Sequence, residues 1–410
     1  MATSTQTGSK KAYVVKPEVF STIKKFGAFD VSACFSCGQC TVTCPLSVSG
    51  GEFPRKIIRN AVLGLEEKIL TQTEPWLCYY CGDCSTTCPS QAEPGEFMMA
   101  TRRYLTSRYD WTGLSKRFYL SEKWEFGALL GLALFILGIF VVSTLIGISK
   151  METEGVSIDA FAPPEWIHLG DLVLLAVLSI LLISNAFRMF YFVMLKDDSV
   201  KVPIKLYITS IGAYFKFAFS ALTQYRWASC NNKWRWVKHL ILVSGYVVMF
   251  SLVIVFLKNP IAGLAWFPAE LQPLIPNLQI DDTTWHWTSL LGYYGTAALL
   301  FVTLESMWSR YKKREEIHKF SHTSDWVFLI LLFLTALTGI FLHLFRLMNL
   351  TYPSYFIYVI HLMIAGPMLI VEVPFGKWSH MLYRPLAVYF ATVKEKARML
   401  TGTYPVTTSN

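Results

Sequence analysis

Six long apolar runs constrain this chain more than any other feature. Phe126–Ser149 is 24 residues without a charge, and Trp166–Leu195 carries only Asp171 near one end and Arg188 near the other. Leu240–Leu257 is 18 residues without a charge; Trp285–Leu304, Trp326–Phe345 and Tyr355–Val373 complete the set. About 20 apolar residues in a helix cross about 30 Å of hydrocarbon. Lipid offers no partner to a peptide N–H or C=O, so each run must satisfy its own backbone as an α-helix. Buried helices of a soluble protein are the alternative, and six runs of this length argue against it. Composition agrees: 53% of the 410 residues are hydrophobic and only 16% are charged.

Loop charge gives an orientation. Loops 196–236 and 309–322 and the segment after Met381 are rich in Lys and Arg, among them Lys196, Lys201, Arg226, Arg235, Lys312, Arg314, Arg384 and Lys394. Loops 150–165 and 259–284 carry Glu152, Glu154, Asp159, Glu165, Glu270, Asp281 and Asp282, with Lys150 as their one basic residue. Basic loops stay on the cytoplasmic side. The expectation is a multi-pass protein of the cytoplasmic membrane with both termini in the cytoplasm. The net charge of +9 is this topology signal, so no nucleic-acid partner is inferred from it. Met1 to Lys11 has no apolar stretch of the kind a signal peptide needs.

Ahead of the runs stand two copies of one pattern: Cys34-x-x-Cys37-x-x-Cys40-x-x-x-Cys44-Pro45 and Cys78-x-x-Cys81-x-x-Cys84-x-x-x-Cys88-Pro89. Three thiolates at two-residue gaps grip three irons of one cube, and the fourth reaches across to the other cube. One [4Fe–4S] cluster is therefore expected on Cys34, Cys37, Cys40 and Cys88, and a second on Cys78, Cys81, Cys84 and Cys44. Zinc sites and disulfides are the alternatives, and two identical four-cysteine runs fit a ferredoxin better. Of nine cysteines only Cys230 is left over.

Between the runs, Ile57, Ile58, Ala61, Val62 and Leu65 recur on one face and predict a helix over 54–70; another is expected over Glu96–Tyr109. The fold class is all-α: an α-helical two-[4Fe–4S] ferredoxin-like domain (1–110) fused to a six-helix transmembrane haem b bundle (125–384). Residues 111–124, with Trp111, Phe118, Tyr119 and Trp124, suit a membrane-interface linker. Residues 196–236 form a cytoplasmic amphipathic loop, and 385–410 a cytoplasmic tail.

Haem is inferred from histidine depth. Ionisable residues inside a span are costly and functional by default. His239 opens the third run and His380 follows the sixth, both at the cytoplasmic end; His343 and His361 lie near the outer ends of the fifth and sixth. Axial imidazoles from two helices at one depth clamp one iron. His239 with His380, and His343 with His361, are the expected ligand pairs of two b haems. His286 and Met249 compete with His343 as the partner of His361. His361 and His380, 19 residues apart, are separated by about 28 Å on a continuous helix, close to one bilayer. Arg188, Arg346 and Arg384 are candidate partners for haem propionates. Quinol chemistry at such haems needs a proton acceptor, and Glu372 is the intramembrane carboxyl between the two histidines, ahead of Asp171 and Glu305.

The segment Tyr358-Val-Ile-His361 … Val373-Pro-Phe-Gly-Lys377-Trp-Ser-His380-Met-Leu-Tyr-Arg384 resembles the last helix of the nitrate reductase γ-subunit, a di-haem b quinol oxidase. In that family the other two ligands stand ten residues apart on an earlier helix; His239 matches the first, whereas Met249 stands at the second. The N-terminal domain resembles the C subunit of heterodisulfide reductase. The fusion of the two resembles the QmoC family, membrane subunits of the quinone-interacting membrane-bound oxidoreductases. That resemblance implies menaquinol/menaquinone as substrate, QmoA-like and QmoB-like flavin and iron–sulfur partner subunits, and, through them, adenylylsulfate reductase in sulfate respiration.

The function expected is a quinol-oxidising, electron-transferring subunit of an oxidoreductase. Three other readings stay open: a quinone-reducing module running in the opposite direction, the membrane arm of a heterodisulfide-reductase-type complex, and a structural anchor and assembly subunit. No Gly-x-Gly-x-x-Gly occurs, so a flavin or nicotinamide is expected on another chain.

Overall fold

The computed structural model describes residues 12–28, 31–47, 52–149, 158–162, 164–212, 214–215, 233–252 and 288–401. Among these there are helices and no β-strand, as the all-α reading expects. Short helices surround the two cysteine loops: α1 (Glu18–Lys25), α2 (Gln39–Thr43), α3 (Arg55–Val62), α4 (Glu66–Leu70), α5 (Glu74–Leu77) and α6 (Asp83–Thr86), followed by α7 (Pro94–Tyr109). The helix expected over 54–70 is split. Gly64 takes φ +69°, and a Cβ there would stand 2.6 Å from the Lys16 carbonyl oxygen. A close backbone approach at a left-handed residue thus separates α3 from α4.

The linker holds α8 (Leu114–Leu120), whose start is fixed by Asp110, accepting from the Thr112 N–H (2.9 Å) and the Ser115 N–H (2.8 Å). Long helices follow: α9 (Glu122–Leu145), α10 (Pro164–Phe190), then short α11 (Ile204–Thr209), and α12 (Lys233–Ser251), α13 (Thr288–Tyr311), α14 (Thr323–Leu347) and α15 (Thr351–Glu372), with α16 (His380–Thr401) last. Among the described residues five segments are long and apolar enough to cross a membrane: Glu122–Leu145, Leu169–Leu195, Ser289–Tyr311, Thr323–Leu347 and Thr351–Glu372. Leu130, Leu134, Phe135 and Ile139 on α9 are more than half exposed, a face that lipid accepts and water does not. The chain is a multi-pass membrane protein. Helix α12 opens the third expected run; residues 253–257 of that run, 285–287 of the fourth, Cys230, His286 and part of the 196–236 loop lie outside the described residues.

The long helices share one polar end. Arg188 at the end of α10 donates to the Arg108 carbonyl (3.0 Å), Arg310 of α13 lies 3.8 Å from Asp325 of α14, and the Thr323 hydroxyl donates to the Glu122 carboxylate. These ends all face the N-terminal domain. Away from it, α12 to α15 pack together through Leu242, Leu299, Phe328, Leu332 and Met368, and Phe118 and Leu129 meet Val371 and Phe375.

Two departures from expectation shape the site. The sixth run does not continue to His380 as one helix. It ends at Glu372; Val373 to Gly376 turn, and a 3₁₀ turn over Lys377–Ser379 leads into α16. Pro374 has no N–H to continue the helical ladder, so the 28 Å straight-helix separation of His361 and His380 does not apply. The second departure is the tail, which as far as Thr401 is a packed helix. Tyr383, Ala387, Phe390 and Val393 join Trp76, Tyr104, Tyr109, Met189 and Val193 in a single core. Fully burying a side chain of this size contributes roughly 1.5–3 kcal/mol. Cluster domain, α10 and α16 therefore hold one another directly.

Candidate functional site

The two cysteine runs fold into near-identical loops. Ser36 and Tyr80, each just before a second cysteine, take φ +60° and +55°, and Gly38 and Gly82, each just after it, both take φ +92°. Each glycine caps a short helix, α2 or α6, and the Thr43 and Thr87 hydroxyls meet across the local two-fold at 3.2 Å. Left-handed residues at matching steps give the two loops the same curl.

The structure brings Cys44 to the second loop: Cys44, Cys78, Cys81 and Cys84 line one cavity of about 250 Å³, closed by Phe53, Tyr80 and Met98. On the other side Cys34, Cys37 and Cys88 lie close enough to Cys40 for their charges to act on it. All eight thiols are free of disulfides, and among the described residues no group of three or more Cys, His, Asp or Glu closes on a single ion. Four thiols spread round a cavity suit a cube better than one zinc. Burial pushes the Cys44 thiol up to about 12 and raises Cys40, Cys78 and Cys84 as well; the positive charge of bound iron is what offsets this and keeps such thiolates ionised. Backbone N–H groups aim at sulfur, from Tyr80 to Cys78 (3.3 Å) and from Ala92 to Cys88 (3.4 Å).

Their surroundings differ. In the first loop Cys37 is exposed, and Phe35 and Val42 are 64% and 83% exposed. Cys78 of the second loop is buried, and three arginines grip the backbone around it. Arg102 donates to the carbonyls of Pro75 (2.6 Å) and Cys78, Arg384 to that of Trp76 (3.1 Å), and Arg235 to that of Cys81 (2.7 Å). Trp76 packs against Tyr383 at 5.0 Å between centroids, and the Tyr80 hydroxyl donates to the Ile317 carbonyl (3.2 Å).

Arg235 and Arg384 each stand one turn from an expected haem ligand, His239 on α12 and His380 on α16. The Arg384 charge reaches both rings, and Tyr246 of α12 meets Trp378 at 5.4 Å, which brings the two helices to one end of the bundle. His380 gives Nδ1 to the Lys377 carbonyl, and His361 bonds the Thr338 hydroxyl through Nδ1 at 2.9 Å. Both arrangements leave Nε2 for a metal, as ligating imidazoles do. Burial, helped by the Arg384 charge, takes His380 down to about 3, so its ring is the neutral, ligating form. His343 differs, since its Nε2 is 2.9 Å from the Tyr293 hydroxyl. Met249 turns toward α13, where a Cβ on Gly295 would lie 2.9 Å from its sulfur. Arg188 is held by the Arg108 carbonyl (3.0 Å).

Glu372 is fully buried. Its Oε2 accepts from the Lys377 N–H at 2.9 Å, and its carboxyl lies beside that of Glu125. Sequence reasoning missed Glu125, Arg102 and Arg235. Glu125 adjoins the first uncharged run, where any carboxylate reads as a solvated flank, and Arg235 reads as one more loop charge.

Residues 30–92 match the 4Fe-4S dicluster domain family. A protein of Archaeoglobus profundus (strain DSM 5631 / JCM 9629 / NBRC 100127 / Av18), described as like the C subunit of heterodisulfide reductase, is 35% identical over 96 residues, 23% of this chain and 51% of that protein. The chain thus spans about half the length of that curated relative. No solved structure matches. The chain joins an iron–sulfur electron-transfer domain, similar to the C subunit of heterodisulfide reductase, to a multi-pass membrane domain.

Proposed function

We propose that this chain is the membrane electron-transfer subunit of a multi-subunit oxidoreductase, linking menaquinol in the cytoplasmic membrane to flavin and iron–sulfur partners of the QmoA-like and QmoB-like kind. Cys78, Cys81, Cys84 and Cys44 hold one cluster; Cys34, Cys37, Cys40 and Cys88 hold the other. His239 with His380, and His361 with His343 once its Nε2 leaves the Tyr293 hydroxyl, would hold two b haems. When bound, these groups supply a chain of one-electron carriers between a two-electron donor and a remote partner.

One observation carries this reading. The two helices that present His239 and His380 are the helices whose arginines, one turn away, hold the loop around Cys78 and Cys81. Arg235 and Arg384 fix that loop against the membrane domain, while the first loop keeps Cys37 in solvent, where a soluble partner can reach it. Glu372 accepts a proton from the quinol, and the fusion of these two domains supports adenylylsulfate reduction as the downstream process. Co-purification from native membranes tests the partner. Flavin and iron–sulfur chains together with a reduced b-type absorption band support the proposal; a chain without that band overturns it. His380→Ala lowers the b-type absorption while leaving cluster iron in place.

The likeness to a protein of the heterodisulfide reductase kind favours a second reading, the membrane arm of a heterodisulfide-type reductase. Its wiring is the same, and its co-purifying chain carries the paired catalytic cysteines.

A further inference from the structure

At the polar end of the bundle, Glu125 in the first turn of α9 and Glu372 at the last residue of α15 are 3% and 0% exposed, and their carboxyls touch. Oε1 of Glu372 is buried with no N–H or O–H donor. The chain makes room for this carboxyl: a Cβ on Gly376 would collide with its Oε2. The Lys377 charge acts on Glu372, but its ion pair is made elsewhere. The Lys377 ammonium is committed to Asp325 at 2.6 Å, which also receives Arg103 (3.1 Å) and Arg310 (3.8 Å). The other ionisable groups that act on the pair are Glu122 on the same helix and Tyr119 of α8, neither of them positive. Two carboxyls in contact with no cation bound between them do not both remain ionised, and one proton shared between them relieves the repulsion.

Lys377 joins this pair to the redox chain. Its N–H donates to Glu372 (2.9 Å) and its carbonyl accepts from Nδ1 of His380. One peptide residue thus spans the carboxyl pair and an imidazole. We propose that Glu125 and Glu372 form a redox-linked proton-binding site, sharing a proton and taking up another, from quinol in turnover or from water under a chemical reductant, when the cofactor beside His380 gains an electron. The linkage rests on haem ligation by His380 as proposed above; the proton-sharing pair does not. The electron comes from the reductant or quinol, and the proton bonds to a carboxylate oxygen, so charge near the end of the helix is kept level.

Two readouts on the purified full-length chain test this. In infrared spectra of the oxidised protein, the wild type shows a protonated-carboxyl band that is lost in Glu125→Gln/Glu372→Gln. In redox titrations of the b-type absorption, the wild-type midpoint falls with rising pH; Glu125→Gln flattens that slope and Glu125→Asp restores it, with iron content unchanged throughout. A carboxyl band left undiminished by the double substitution overturns the pair, and an unaltered slope in Glu125→Gln overturns the linkage. A wild type without b-type absorption sinks the haem reading and the linkage with it, and the infrared band alone then decides whether the two carboxyls share a proton.

Discussion

The two cysteine loops share a backbone and differ in almost everything around it. The first shows Cys37, Phe35 and Val42 to solvent. The second is enclosed, with three guanidinium groups on its carbonyls and Trp76 packed on Tyr109 and Tyr383. Spacing alone makes a loop fit to hold a cluster; neighbours decide which way it faces and how strongly it holds an electron. A positive charge fixed beside a cluster favours the reduced form. On the proposed function the enclosed loop is the inner station of the path and the exposed loop the outer one.

The largest expected effect concerns the crossing of ligands between the loops. Cys44→Ser removes the electron paramagnetic resonance signal of the enclosed cluster and leaves the other, although Cys44 belongs by sequence to the first run. Cys88→Ser does the reverse. Loss of the opposite signal in either variant breaks the assignment. Next is packing. Trp76→Ala costs about 3–5 kcal/mol, read as a lower Tm of the full chain, whereas Phe35→Ala, on an exposed side chain, stays within about 0.5 kcal/mol. Equal losses would show that the first loop is as enclosed as the second.

The charge comparison is smaller. Arg235→Gln lowers the reduction potential of the enclosed cluster by about 1–2 kcal/mol per electron, the worth of a unit charge near 10 Å in an effective dielectric near 20. Redox titration should leave the exposed cluster unmoved. The smallest effect is on acid stability. Burial opposes ionisation of Glu66, but hydrogen bonds from Lys16 and Tyr104 and the Arg108 charge outweigh it and hold the carboxyl below its ordinary value. A lowered carboxylate stabilises the fold above its unfolded value and loses that contribution as pH falls through the folded one. The cluster domain should therefore weaken below the usual carboxylate range near 4.5, and Lys16→Met should flatten that dependence in a pH series of Tm values.

Much of this was legible in the chain. Cysteine spacing is local, and it announced both loops. Apolar runs are long enough to specify helices regardless of context, and five of them are helices of crossing length. What escaped was set by contacts between distant segments. Val373-Pro374-Phe375-Gly376 contains the residues that stop α15, yet the 19-residue spacing of His361 and His380 suggested one continuous helix. The last helix gave no sign that it packs beneath Trp76, since an amphipathic basic segment also suits a solvated tail. Gly64 splits one expected helix because of the Lys16 backbone, 48 residues away by the numbering. The Glu125–Glu372 contact joins the first long helix to the sixth run, and no local pattern encodes it.

The central claim is that the enclosed loop stands between the membrane cofactors and the exposed loop. Mixing dithionite-reduced full-length protein with a menaquinone analogue, and freeze-quenching for paramagnetic resonance, tests it directly. The Cys44/Cys78/Cys81/Cys84 cluster should oxidise ahead of the Cys34/Cys37/Cys40/Cys88 cluster, with both slowed in His380→Ala. Oxidation of the exposed cluster first, or at a rate indifferent to His380, would contradict it.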